Sequence, residues 1–462
     1  MTVAFPEDPL GVVVELQLGG SWMDITPHVY ARDPIKIERG RRDEGSRADP
    51  AVCTLTINNR DGRYSPRNPR SPYYGLLGRN SPVRVYVLLP GGVSYRFVGE
   101  VSAWPSRWAP SGADVWIPVQ AAGILRRLGQ GAQPLRDALR RHIEASVPRP
   151  LAYWPLTDGE YAIQGSEVIS GAQPARTLGP AGSYYQGQVE WGKGELAPWM
   201  DAAVGLPPAS RGNLTVGVNP APAATDGWSV DIVRSGLGSQ LVVEMWDTAP
   251  RISLDPQICW SLVVGIDGDT SMRLVLGAYD EASSSSMTLA LVNVPALYTP
   301  GPHHIRLTVT PAPGDDAAWS VMLDGAVVAS GVTWPLVRPL AKINTYWVTV
   351  TGDGGDTGPL AIGHLTYWGP QTPPAADTWR AVRGHAGERA GRRIERLCAE
   401  QGVPLQVTGS LDDTPAMGPQ RPATFLDLLA TAEDVDGGTL GEARDELALA
   451  YRTRTSRYNQ GG

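Results

Sequence analysis

Cysteine is scarce in this 462-residue chain: Cys53, Cys259 and Cys398 lie far apart and form no CxxC. An odd, scattered set excludes a disulfide framework and a cysteine zinc site. Lysine is scarcer still in proportion, with Lys36, Lys193 and Lys342 the only three among 40 basic residues. We read that as codon usage of a GC-rich genome. No apolar run approaches the ~18 residues a membrane span needs, so a soluble chain without a span is expected. The first residues lack the basic n-region and small-residue cleavage site of a signal peptide, so nothing marks them for export. Catalytic signatures are missing too. There is no Gly-x-Ser-x-Gly elbow, His-Glu-x-x-His helix, phosphate-cradling loop or dinucleotide fingerprint. The carboxylates of Glu244 and Asp247 stand three apart on a predicted strand, hence on opposite faces, and no Glu-x-Asp-x-Glu occurs. His303 and His304, the only paired histidines, likewise point apart. No enzyme is expected, and no cofactor.

The length predicts two or three domains, and the charge of −7 is uneven. Residues 1–150 carry 20 basic and 14 acidic groups (+6), residues 151–372 carry 9 and 20 (−11), and residues 373–462 carry 11 and 13 (−2). A change of sign near 150 and a sharp fall in negative charge near 372 mark domain boundaries. The acidic majority argues against specific nucleic-acid binding, because phosphate affinity needs concentrated cations.

Alternation is the main structural signal. Val12, Val14, Leu16 and Leu18 predict a strand ending in a Gly19-Gly20 hairpin. Cys53, Leu55 and Ile57 predict another, and Val83, Val85 and Val87 a third. Further strands are predicted over Tyr95 to Trp104 and Val115 to Val119, making an antiparallel β-barrel. Between Asn58 and Pro82 runs a loop with four prolines and five arginines, extended by its prolines and suited to be gripped by another chain. An amphipathic helix from Pro134 to about Val147, on Leu135, Leu139 and Ile143, closes the first domain.

Residues 10 to 130 resemble a known family. Arg39 to Arg41, Thr56 to Asn59, Asp61-Gly62-Arg63-Tyr64-Ser65-Pro66 and Pro82-Val83-Arg84-Val85 are similar, in order, to the N-terminal barrel of minor tail and baseplate-hub proteins of bacteriophages that infect actinobacteria. The arginine bias agrees with such a host. From Leu151 to about Gln371 the chain turns Trp-, Gly- and Ser-rich. Tyr153-Trp154-Pro155-Leu156, the strands around His303 to Val309 and Val321 to Val328, and Pro359 to Gly369 resemble a laminin-G or concanavalin A-like jelly roll, whose first and last strands are neighbours and which therefore suits insertion. A helix on Ala390, Ile394, Leu397 and Cys398, a strand to Val407, a helix from Thr424 to Glu433 and a strand through Leu447, Leu449 and Tyr451 resemble the segment that follows the hub barrel.

The expected fold is thus mainly β. It has a barrel at 1–150, an inserted β-sandwich at 151–372 and a small α+β segment at 373–462. The resemblance implies a structural virion protein at the distal end of the phage tail. It would form a ring of three copies, with six as the alternative, and touch tube, distal-tail and tape-measure proteins. Arg39, Arg41, Arg42, Arg60, Arg63 and Arg67 are the expected assembly contacts. Hub proteins of this kind usually continue past this point, so by the resemblance Arg457 to Gly462 is expected to be either a natural cleavage point or a boundary within a longer chain. Host-surface glycan is the expected target of the sandwich, with Trp246, Trp260 and Trp347 as contacts. Asp267, Asp269, Asp353 and Asp356 sit in glycine-bearing loops that could offer oxygens to Ca²⁺ or simply turn the chain. A glycan-binding adhesin acting through the jelly roll is the alternative function, with a glycan depolymerase third.

Overall fold

In a computed structural model of the chain, the described residues are 11–43, 46–177, 189–208, 210–217, 227–237, 239–247, 257–265, 271–279, 284–333, 345–353 and 358–458. The protein is mainly β, as its alternation predicts. It divides into two compact units. The first is built from residues 1–134, 387–417 and 423–462, and the second from 135–386 and 418–422.

The first unit opens with β1 (Gly11–Leu18), β2 (Ser21–Asp24), β3 (Lys36–Gly40), β4 (Asp49–Asn58), β5 (Ser81–Leu89), β6 (Gly92–Val101), β7 (Arg107–Trp108), β8 (Val115–Ala122) and the short helix α1 (Ile124–Gly129). The sheet order is β2-β1-β5-β6-β8-β4-β3, with β7 on β8, and all described pairings are antiparallel. Every second residue of β4 (Ala51, Cys53, Leu55, Ile57) and of β5 (Val83, Val85, Val87) is buried. All of these but Val87 join Val14, Leu16, Phe97, Val101, Ile117 and Val119 in a single core. A sheet whose one face converges on one cluster must curl. The connection after β2 closes the curl: Ile25 N–H donates to Val14 of β1 and Tyr30 N–H to Thr56 of β4, each at 2.9 Å.

The second unit begins with α2 (Ala138–Ala145). The helix starts later than the Pro134 pattern predicts, because Asp137 caps it by accepting the Arg140 N–H at 2.8 Å. It also belongs to the sandwich unit, not to the barrel. Strands follow as β9 (Ala152–Trp154), β10 (Arg176–Thr177), β11 (Glu190–Gly194), β12 (Ala203–Leu206), β13 (Arg211–Gly217), β14 (Trp228–Ser235), β15 (Leu241–Asp247), β16 (Gln257–Val264), β17 (Ser271–Tyr279), β18 (Ser284–Asn293), β19 (His303–Pro311), β20 (Ala317–Leu323), β21 (Ala326–Val332), β22 (Thr345–Asp353) and β23 (Leu360–Trp368). One sheet runs β10-β13-β22-β15-β16-β17-β18, the other β11-β12-β23-β14-β19-β20-β21. Their facing side chains, including Trp154, Trp228, Trp260, Leu262, Leu307 and Ile362, form one core. The first and last strands are neighbours, Trp154 pairing with Leu365. Asp324 and Gly325, both at positive φ, make the predicted hairpin turn. Helix α3 (Ala375–Val382), not anticipated from the sequence, buries Ala375, Thr378, Ala381 and Val382 along one face and ends the sandwich unit, and a second core of Leu139, Ile143, Tyr153, Val233, Trp368 and Val382 lies between the two helices and the sheet.

Back in the first unit come α4 (Ala390–Glu400), β24 (Leu405–Thr408), α5 (Phe425–Asp436), β25 (Thr439–Glu442), β26 (Leu449–Arg452) and α6 (Arg454–Tyr458). Thr424 caps α5 and Gly437, at φ +68°, ends it. Within this unit the segment closes onto the barrel. The Glu442 carboxylate accepts the N–H groups of Ala51 (2.8 Å) and Leu125 (2.6 Å), and Gly123 leaves room for it, since a Cβ there would strike that carboxylate.

Candidate functional site

The arginine-bearing loop is an ordered spiral of turns. The sequence repeats a triplet, Ser65-Pro66-Arg67, Asn68-Pro69-Arg70 and Ser71-Pro72-Tyr73. Ser or Asn followed by Pro suits the first two positions of a type I turn. The hydrogen bonds follow the repeat: Asn68 N–H donates to Ser65, Ser71 to Asn68 and Tyr74 to Ser71, at 3.0, 3.0 and 3.1 Å. Tyr64, fully buried, anchors the spiral by stacking on Trp104 with centroids 6.4 Å apart, and its N–H donates to Asn59 Oδ1. Trp104 Nε1–H in turn donates to Gly78 at 2.9 Å.

The six predicted interface arginines separate into three groups. Arg60 donates to Asp114 (3.0 Å), which also accepts from the Tyr30 hydroxyl (2.6 Å) and Arg32, and these bonds, the tyrosine's first, hold Asp114 below the usual carboxylate range. Arg63 pairs with Asp61 at 2.6 Å and lies 3.0 Å from the His28 ring. Both therefore fasten the loop. Arg39 and Arg41 line a cleft of about 520 Å³ beside Asp43, Glu442, Arg444 and Arg457. Arg39 donates to the carbonyls of Arg96, Glu442 and Ala443, and burial with the nearby Arg444 charge lowers its pKa. Arg41 pairs with Glu433, and exposed Arg42 with Asp49 at 3.2 Å. Arg67 alone of the six is exposed without an ion pair among the described residues. Arg70 and Arg79 share that state, and Tyr74 and Leu76 are exposed beside them. The triplet repeat was the signal that sets Arg67 and Arg70 apart.

In the sandwich, Trp260 is fully buried and packs edge-to-face on Trp228 at 6.1 Å. It is a core residue, which corrects its assignment as a glycan contact. Leu241, Val243 and Met245 of β15 face the core, so Glu244 and Trp246 lie on the outer face, half-buried, with Trp246 Nε1–H donating to Glu244 at 3.2 Å. Trp347 is the cross-strand partner of Trp246. Its side chain lies outside the described residues, as do Asp267, Asp269, Asp356 and the side chain of Asp353. Among the described residues no group of three or more His, Cys, Asp or Glu could hold a metal ion, and no helix is long and apolar enough to cross a membrane.

The other sheet carries a buried polar layer on its helix-covered face. Asp231 on β14 receives Arg306 Nε (2.6 Å) and Nη2 (2.8 Å) from β19 and Trp368 Nε1–H (3.0 Å) from β23. Burial alone would raise its pKa, but the Arg306 charge and hydrogen bonds override this and hold Asp231 well below the usual carboxylate range. Arg306 also donates to Pro373 at 2.6 Å, tying the sheet to the lead-in of α3. Nearby, the Tyr153 hydroxyl lies 2.8 Å from His364 Nδ1, and burial pushes the Tyr153 pKa up and the His364 pKa down. His303 contacts Asp324 at 2.8 Å whereas His304 Nε2 lies 3.7 Å from Asp231, so the two histidines do point apart. These groups are enclosed, and their arrangement holds the sandwich to its helices.

No family model matches the chain. No curated protein matches it. Solved structures with a distant likeness include the binding domain of botulinum neurotoxin DC in complex with rat synaptotagmin II, at 12% identity and TM-score 0.31, covering 52% of this chain and 53% of that one. Another is the Emp46p carbohydrate recognition domain in its metal-free form, at 12% identity and TM-score 0.28, covering 39% and 85%. A third is an endo-β-1,4-glucuronan lyase from the fungus Trichoderma reesei, at 14% identity and TM-score 0.29, covering 47% and 94%. The chain spans about half the length of the neurotoxin binding domains. Likeness at this level assigns no function.

Removing Asp231 leaves the Arg306 guanidinium buried without its counter-charge. Asp231→Ala is expected to destabilise the second unit by about 3–5 kcal/mol at pH 7. Because folding depresses the Asp231 pKa, its contribution is present above the unfolded value and lost as the pH falls below about 4. Urea denaturation followed by tryptophan fluorescence, at pH 7 and at successively lower pH, checks both points; a variant as stable as the wild type at pH 7 contradicts the network's role.

Proposed function

We propose that this chain is a non-catalytic attachment protein, in which the barrel unit mounts the molecule and the sandwich unit contacts a surface. Its proposed setting is the distal tail of an actinobacterial siphophage, following the resemblance of residues 10 to 130. The observation that carries the mounting-and-display reading is the interrupted first unit. Its core and its closing carboxylate, Glu442, come from chain segments that precede and follow, in sequence, the residues of a complete β-sandwich. A domain placed so can vary its surface without disturbing the scaffold that bears it.

The sandwich favours a glycan as target through one specific feature. The outer face of β15 presents Trp246 hydrogen-bonded to Glu244, with Ser261 the cross-strand neighbour of Glu244. A half-exposed indole offers a flat apolar face to a sugar ring, and the adjacent carboxylate and hydroxyl accept or donate hydrogen bonds to its hydroxyls. This reading requires no metal and no cofactor.

Gold labelling of phage particles with an antibody to residues 135–386, read by negative-stain microscopy, is expected to mark the distal tail; unlabelled particles with the protein free in the medium would instead favour the adhesin alternative. On a glycan array of host-wall saccharides, Trp246→Ala is expected to weaken binding about tenfold, the loss of roughly 1.4 kcal/mol of stacking. Equal binding by the variant excludes this face.

A further inference from the structure

The turn spiral holds a dense charge of one sign. Between Asn59 and Asn80 there are five arginines and one acid, Asp61, a local charge of +4. Arg60 and Arg63 are engaged by Asp114 and Asp61. Arg67, Arg70 and Arg79 are exposed, make no ion pair among the described residues, and flank Tyr74 (56% exposed) and Leu76 (49%). The complementary charge lies in the same chain. Residues 135–386 with 418–422 carry 16 basic and 23 acidic groups, a net of −7, while the remaining residues carry 24 and 24, a net of zero.

We propose that the spiral docks a second copy of the chain, with Arg67, Arg70 and Arg79 meeting carboxylates of that copy's sandwich unit and Tyr74 and Leu76 packed between them. The inference rests on the ring of copies that the resemblance of residues 10 to 130 implies and names the surface that joins them. Three features support it. Arginine and tyrosine are the residues that carry most binding energy at protein contacts. The Ser/Asn-Pro repeat, its turn hydrogen bonds and the Tyr64 anchor fix the loop beforehand, so little ordering is needed on association. The two patches are of unlike kind, so the contact is heterologous, the type that closes into rings or runs on as filaments. The opposed local charges, +4 on the spiral and −7 on the sandwich unit, also make the contact sensitive to salt.

Sedimentation velocity of the purified full chain, over a range of protein and salt concentrations, tests the proposal. Wild type is expected to self-associate at low salt and to dissociate as salt rises. Arg67→Glu/Arg70→Glu/Arg79→Glu is expected to weaken self-association by roughly 10- to 100-fold, with unchanged circular dichroism and thermal midpoint. Tyr74→Ala/Leu76→Ala is expected to weaken it with the charge intact, which keeps the test valid if the triple variant misfolds. Wild type that self-associates, with both variants associating equally well, overturns the assignment of this loop while leaving the multi-copy reading in place. Wild type that stays monomeric at every concentration overturns both.

Discussion

The first unit depends on one carboxylate. Glu442 sits at the end of β25 and accepts the backbone N–H groups of Ala51 on β4 and Leu125 on α1, residues more than 300 positions earlier in the chain. Both donors would otherwise be part-buried without partners, and a buried amide without an acceptor costs about 1–3 kcal/mol. Burial raises the Glu442 pKa, and the two N–H bonds and Arg39 act against that. Arg39 reinforces the junction by donating to the carbonyls of Glu442 and Ala443, and Arg47 pairs with Asp427 at 2.9 Å. The barrel is therefore completed by residues that are made only after the sandwich.

That order constrains the sandwich. A domain inserted in a closed unit must fold around its own core, and this one does so twice. Apolar side chains fill the space between its sheets, and a second apolar core with the Asp231–Arg306–Trp368 layer lies under α2 and α3. Entry and exit both pass through these helices, and β9 pairs with β23. Buried ion pairs gain little over apolar packing yet fail badly when halved, so the cost of disrupting this layer falls on loss of one partner.

Much of this was legible in the sequence because strand alternation is a local property. Cys53, Leu55 and Ile57, and Val83, Val85 and Val87, point inward as their spacing requires, and the Asp324-Gly325 turn follows from residues that tolerate positive φ. Other features depend on distant partners. Asp137 displaces the helix start from Pro134 through a cap that the apolar periodicity does not report. Helix α3 is short, and its stability comes from Val233 and Trp368 beneath it. Arg39 and Arg67 look alike in the sequence, yet one is engaged by carbonyls of residues 442 and 443 and the other faces solvent. Trp260 and Trp246 differ only in which face of a strand they occupy. Their separation needs the register of the whole sheet.

Native-state hydrogen exchange on the full chain, resolved by residue, tests most directly whether the barrel and the C-terminal segment are one body. The account predicts that the amides of Ala51 and Leu125 exchange only with the cooperative unfolding of the first unit, together with those of α5 and β26. Early exchange of residues 387–458 with the barrel amides still protected would contradict it.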